Sequence, residues 1–246
     1  GTLFFDVAEI LRRYQPKAFF LENVKGLVIH DKGRTFKTIL NTLEEVGYVV
    51  PDPQIVNAMF FGVPQHRERI YIVGFRKDLG IKKDDFSYPE QKEVTKKWID
   101  VREENPVPAK YYLSTTYIET LKRHKARHEA KGNGFGYDII PDDGIAHAIV
   151  VGGMGRESNL VIDFRQTDLT PTTRIKGEVN RQGWRKMTPR EWARLQGYPD
   201  NFRIVVADAS AYKQFGNSVA VPAIQATAKQ LLKTLNDKKI LKLWEY

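Results

Sequence analysis

Three side chains in the first 70 residues are of types, and at spacings, that can act on a polar ligand. Glu22 closes the apolar run Ala18-Phe19-Phe20-Leu21, which puts a carboxyl at the C-terminal end of a buried strand, where open α/β sheets bind ligands. Arg67 and Arg69 stand two apart in Gln65-His66-Arg67-Glu68-Arg69, so on an extended chain both can face one pocket. A guanidinium, planar and always charged, suits a carbonyl or a phosphate there. Taken singly, Glu22 also reads as a strand-end residue capping the next turn, and the arginines as a solvated edge strand with paired charges. The chain has no cysteine, which excludes thiolate catalysis, disulfides and cysteine-ligated metal within it. His124 and His128 have the four-residue spacing of metal ligands on a helix. No third ligand is placed by the sequence, and Lys122, Arg123, Lys125 and Arg127 surround the pair, so a phosphate-facing helix is expected and no metal.

The elements that must position these groups follow from periodicity. Residues 3–14 carry the apolar spacing of a helix buried on one side, and residues 18–21 that of a buried strand ending at Glu22. A helix from Thr35 to Val46 puts Phe36, Ile39, Leu40, Leu43 and Val46 on one face and stops at Gly47. Strands are expected near 48–58 and 69–75, and the alternation of helix and strand predicts an α/β layer with a mostly parallel sheet. From about Lys77 to Lys186 the pattern loosens, with strand-like runs at Ala148-Ile149-Val150-Val151 and Leu160-Val161-Ile162-Asp163 and one basic helix from about Thr115 to Ala130. This span reads as a second, smaller, irregular domain. Thr188-Pro189-Arg190-Glu191 fits a helix start, with Thr188 as N-cap, Pro189 at the first helical position and Glu191 closing a capping box. A last helix is expected after Asn217, with Pro222 near its start.

A chain of 246 residues, 41% hydrophobic, can bury a sizeable core. No apolar run approaches the roughly 20 residues of a membrane span, and no signal peptide precedes the first amphipathic stretch, so an intracellular, cytoplasmic setting is expected. The 39 Lys+Arg against 30 Asp+Glu leave a net charge of +9, which favours a polyanionic partner such as nucleic acid. The chain opens at Gly1 and runs straight into a helix pattern, which reads as a fragment, a processed subunit or the ordered remainder of a longer chain.

Four segments, in this order, carry a resemblance: Glu22-Asn23-Val24, Gln65-His66-Arg67-Glu68-Arg69, Arg185 to Asp200 around Thr188-Pro189-Arg190-Glu191, and Ala211 to Val219 with Phe215-Gly216-Asn217-Ser218-Val219. Together they resemble the later half of the motif set of DNA cytosine-5 methyltransferases of the bacterial restriction-modification type. The earlier half has no counterpart here: the Phe-x-Gly-x-Gly cofactor segment, the acid that holds the ribose, and the Pro-Cys nucleophile loop.

The resemblance implies a partial Rossmann-like S-adenosylmethionine-dependent methyltransferase domain plus a smaller, irregular, β-rich target-recognition domain. Its bounds would be 1–96 for the catalytic half, 97–187 for target recognition, 188–216 for a hinge and 217–246 for the helix returning to the catalytic domain. It assigns Glu22 to N3 and N4 of a flipped-out cytosine, Arg69 to O2, and Arg67 to bracing the catalytic loop or the attacking sulfur. Leu3, Tyr198 and Asn217 would contact S-adenosylmethionine, with Gly216-Asn217 as a helix start open to a ligand. Gln65, Arg156, Thr172 and Arg174 would meet double-stranded DNA. The nucleophilic cysteine would come from an N-terminal segment or a partner subunit. The two alternatives are a DNA-binding specificity module without catalysis, and an RNA cytosine methyltransferase; the long recognition domain favours DNA.

Overall fold

A computed structural model describes residues 3–152, 155–173 and 175–240. In chain order its helices and strands are α1 (Leu3–Tyr14), β1 (Ala18–Val24), α2 (Arg34–Glu45), β2 (Tyr48–Val49), β3 (Gln54–Asn57), β4 (Gln65–His66), β5 (Glu68–Arg76), α3 (Thr115–Glu129), β6 (Ala146–His147), β7 (Leu160–Ile162), β8 (Trp184–Lys186), α4 (Pro189–Leu195), α5 (Asp208–Asn217) and α6 (Val221–Asp237). Two compact units divide them. Unit 1 comprises residues 1–57, 68–92 and 223–246; unit 2 comprises 58–67 and 93–222.

Unit 1 is built on a four-stranded sheet with β5 at its centre, flanked by β1 on one side and by β2 and β3 on the other. All three pair with β5 antiparallel, which corrects the expectation of a mostly parallel sheet. The reason is local. β1 and β2 both oppose β5, so they run parallel to each other with α2 as their crossover, as the periodicity implies. Only the ten residues 58–67 separate β3 from β5, too few for the crossover a parallel neighbour needs. The expected strand at 48–58 is present as two pieces because Pro51 and Pro53 cannot donate to a ladder.

Side chains alternate across this sheet. Phe19 and Leu21 of β1, with Ile70 and Ile72 of β5, pack on Leu11 of α1 and Ile39 and Leu43 of α2. Ala18 and Phe20, with Val73 and Phe75, pack on Ile81, Phe86, Leu231 and Leu235 on the other face. Gly74 lies opposite Phe19, and a Cβ there would sit within the Phe19 ring, so glycine is what lets the ring lie flat across β5.

Unit 2 has little regular sheet: β4 pairs with β6 in parallel and β7 with β8 antiparallel. Its main core gathers Trp98, Ile149, Met187, Trp192, Leu195, Tyr212 and Phe215. Helix α4 starts as expected, with Thr188 Oγ1 accepting from Glu191 N at 3.1 Å and the Glu191 carboxylate accepting from Thr188 N at 2.7 Å. That same carboxylate receives both terminal nitrogens of Arg185 at 2.8 Å, while Arg185 Nε donates to Asp163 at 3.0 Å. All three side chains are fully buried. Arg165 adds a second cation to Asp163 at 2.7 Å, and the Arg185 guanidinium lies 5.9 Å from the Trp98 ring.

Two expectations fail in unit 2. Residues 148–151 form no strand, because the Ile149 backbone is satisfied by side chains: its N–H donates to Gln65 Oε1 at 3.0 Å and its carbonyl accepts from Arg67 Nη1 at 3.0 Å. Gly216-Asn217 ends α5 and does not begin a helix. Gly216 is small for packing, since a Cβ there would meet Val151 Cγ2 at 2.7 Å.

Candidate active site and nucleic-acid interface

In unit 1 the ladder registers Val24 against Arg69 and Glu22 against Tyr71. Glu22 and Arg69 are thus diagonal neighbours on one face of the β1–β5 pair, the face that also carries Phe20 and Tyr71. Glu22 Oε1 lies 3.1 Å from Arg69 Nε, with the two side chains 24% and 14% exposed. Arg69 Nη1 also donates to the Glu68 carbonyl at 2.8 Å, which fixes the guanidinium plane. Lys25 pairs with Glu68 at 2.9 Å nearby. The result is a carboxylate and a planar cation side by side at a strand end, each with unused hydrogen-bonding capacity, able to accept from and donate to one edge of a planar polar ligand. Leu3, at the start of α1, is 78% exposed.

The chain passes from unit 2 to unit 1 between Arg67 and Glu68, so Arg67 belongs to a different cluster. It is 4% exposed and donates to Ile149 O and, at 2.7 Å, to Ser218 O. Gln65 is fully buried: Nε2 donates to Leu195 O at 2.8 Å and Oε1 accepts from Ile149 N. This corrects its assignment to DNA, because a carboxamide spent on the core has nothing left for a base edge. Gln196 continues the knot, donating to Phe215 O at 2.8 Å, and its own carbonyl accepts from Val221 N at 2.8 Å. Tyr198 packs on Phe215 and shares a 2.5 Å hydrogen bond with Ser218 Oγ. Three sequence segments, 65–67, 195–198 and 215–218, are therefore tied together by backbone carbonyls. Asn217 stands exposed at the end of α5, beside this knot.

Of the residues expected at DNA, Arg156 is exposed, with its guanidinium 5.3 Å from the Tyr212 ring. Thr172 is exposed and its carbonyl closes a turn with Ile175 N at 2.9 Å. Arg174 lies outside the described residues. Among the described residues no group of three His, Cys, Asp or Glu is placed to hold a metal, and no helix is long and apolar enough to cross a membrane. The Arg185–Asp163–Glu191 cluster escaped sequence reasoning, since charges 22 residues apart carry no spacing signal. An arginine within the apolar setting of Trp184 and Met187 was the only hint.

The comparisons with known proteins agree on one class. The C-5 cytosine-specific DNA methylase family matches residues 1–233, and this chain belongs to that family. Within it, the chain is 73% identical over 238 residues to the Type II methyltransferase M.HpaII of Haemophilus parainfluenzae, covering 96% of this chain and 66% of that protein. It is 42% identical to M1.ScrFI of Lactococcus lactis subsp. cremoris, covering 97% of this chain and 57% of the relative, and 42% identical to M.SsoII of Shigella sonnei, covering 96% and 58%. The chain thus spans less than two thirds of the length of these relatives. Among solved structures, the S. pombe Dnmt2 methyltransferase superposes with a TM-score of 0.66 at 18% identity, covering 95% of this chain and 72% of that one, a likeness of fold.

Proposed function

We propose that this chain forms the C-terminal part of a DNA cytosine-5 methyltransferase of the restriction-modification type, acting in the cytoplasm on a flipped-out cytosine in a specific duplex site. The observation that carries the reading is the Glu22–Arg69 pair. N4, N3 and O2 of cytosine lie along one edge of the ring, a donor and two acceptors in sequence. A carboxyl opposite N4 and N3 and a guanidinium opposite O2 match that edge, and the 3.1 Å pairing of Glu22 with Arg69 at one strand end supports the match. The target base must leave the duplex, because its ring face is covered while stacked.

C5 of an aromatic cytosine is a poor nucleophile, and addition of a thiolate to C6 turns C5 into a carbon that accepts a methyl group. Negative charge then develops on the ring. Glu22, hydrogen-bonded at N3 and N4, and Arg69 at O2 stabilise it. Proton loss from C5 and departure of the sulfur restore the aromatic ring. Because the 246 residues hold no cysteine, the nucleophile belongs to an N-terminal segment or partner chain.

S-adenosylmethionine, when bound, supplies the methyl group. The residues present fit part of such a group: Leu3 is exposed at the start of α1, and Asn217 is exposed at the end of α5. Arg67, Gln65 and Gln196 act by holding the backbone around Ser218 and Ile149 in register. Transfer of tritiated methyl to cytosine-containing duplex DNA by the assembled protein tests the reading. Glu22→Gln and Arg69→Ala should each abolish most of it, and full activity in both variants would refute it.

A further inference from the structure

A cavity of about 670 Å³ opens in unit 2 between α3 and the loops that follow it, lined by His124, His128, Phe135, Val150, Gly152 and Ser158 among others. Its size falls within the roughly 300–1,000 Å³ of ligand pockets, and its walls are mostly apolar. None of the residues assigned above to catalysis, cofactor or DNA lines it. One wall is a pair of imidazoles, with ring centroids 4.5 Å apart at 42°. Phe135, 69% exposed, meets His128 edge-on at 5.8 Å.

The His128 ring is fixed. Its Nδ1 is 2.7 Å from the Asn133 carboxamide oxygen, and Asn133 N donates to the His128 carbonyl at 3.1 Å. With the Asn133 oxygen facing Nδ1, the tautomer that carries its proton on Nδ1 satisfies this contact and leaves Nε2 as the acceptor. His124, on the same cavity wall, has a buried Nδ1 with no hydrogen-bond partner among the described residues.

Charge favours one kind of ligand. On α3, Ile118 and Leu121 face the core, His124 and His128 form the adjoining stripe, and Arg123 and Arg127 lie beyond it, both exposed. A phosphate backbone running along Arg123 and Arg127 would bring its bases to the imidazoles.

We propose that this cavity is a base-reading site in which His128 Nε2 accepts a hydrogen bond from the exocyclic amine of a cytosine or adenine in the target duplex, with His124 and Phe135 flanking that contact. Only those two bases offer a donor in the major groove, so an acceptor nitrogen selects them over guanine and thymine. The proposal rests on the DNA methyltransferase reading and supplies a residue-level source for its sequence choice.

The test maps 5-methylcytosine deposited in random-sequence duplex DNA by the assembled, cysteine-bearing methyltransferase. His128→Ala should still methylate but lose about ten-fold in preference at one position of the context. His124→Ala and Asn133→Ala should relax the same position less, and His128→Gln, which keeps an acceptor, should retain it. Contexts identical to wild type in His128→Ala and His124→Ala would overturn the proposal, as would relaxation spread over every position. If wild type methylates no cytosine, the activity reading fails. Selection of bound duplexes from a randomised pool with the same variants then reads base choice without turnover: loss at one position supports the site, and no change removes it.

Discussion

Glu22 and Arg69 are joined across the β1–β5 ladder by a 3.1 Å ion pair, although Arg69 is registered against Val24 and not against Glu22. The diagonal geometry places both heads at the strand end with one edge of each open. Glu22→Gln keeps the shape and removes the ionisable group. It is expected to lower the methyl-transfer rate by about a hundred-fold or more. The thermal midpoint should hardly move, because a partly exposed pair contributes about 1 kcal/mol or less. Single-turnover kinetics beside a melting curve separates the two effects; a large stability loss with an unchanged rate would make the pair structural.

The buried Arg185 holds two carboxylates; removing it leaves Glu191 buried without a cation, while Asp163 keeps only Arg165. Arg185→Met should cost unit 2 about 3–5 kcal/mol, read from chemical denaturation. A loss under 1 kcal/mol would mean that the carboxylates find other partners.

Acid should act through the same cluster. Burial alone would raise the Asp163 pKa, but hydrogen bonds from Arg165 and the charges of Arg165 and Arg185 hold it well below the ordinary carboxylate range. In the unfolded chain the carboxyl titrates near roughly 3.9, so below that pH the unfolded state binds the proton that the native state refuses. The stabilisation is therefore complete above about pH 4 and is lost as pH falls from there toward the depressed native value. Thermal midpoints measured from pH 6 to 2 should fall more steeply for wild type than for Asp163→Asn; equal slopes would contradict this assignment.

Gln65 Nε2 also reaches Gln196 Oε1 at 3.3 Å, but its two shorter hydrogen bonds hold Leu195 O and Ile149 N. Gln65→Ala orphans both and should cost about 1–3 kcal/mol for each buried group left unpaired. Faster proteolytic cutting near Val150–Gly152 would accompany it, whereas an unchanged cutting rate would mean that the loop is held without Gln65.

Gly197 adopts φ +79°, and a Cβ there would also press on Pro222 Cγ at 2.7 Å. Gly197→Ala combines backbone strain with overpacking and should lose about 1–3 kcal/mol in a denaturant titration. Gly62, at φ +84° with open space around it, should lose less on the same substitution, because it has the strain without the clash.

What the sequence made legible was whatever its local periodicity and capping chemistry control. The helices at 3–14 and 115–129 and the full capping box at Thr188 stand where the spacing puts them. Helix α5 was missed because Asp208-Ala209-Ser210-Ala211 has a weak apolar pattern and its N-cap, Ala207, offers no side-chain acceptor. The run at 148–151 was misread as a strand because sequence cannot reveal that Gln65 and Arg67, some 80 residues away, would supply its hydrogen bonds. Of the candidate site, Glu22 and Arg69 were legible as motif residues. Their pairing depends on ladder register, and the Arg185 cluster on contacts far apart in the chain, neither of which spacing encodes.

The most direct test of the central claim, that this chain carries the ring-stabilising half of a site whose nucleophile lies outside it, is tritiated methyl transfer to duplex DNA measured with and without a cysteine-bearing N-terminal segment. The account predicts no transfer by the 246 residues alone, transfer when the segment is supplied, and its loss in Glu22→Gln. Transfer to cytosine C5 by the cysteine-free chain alone would contradict it.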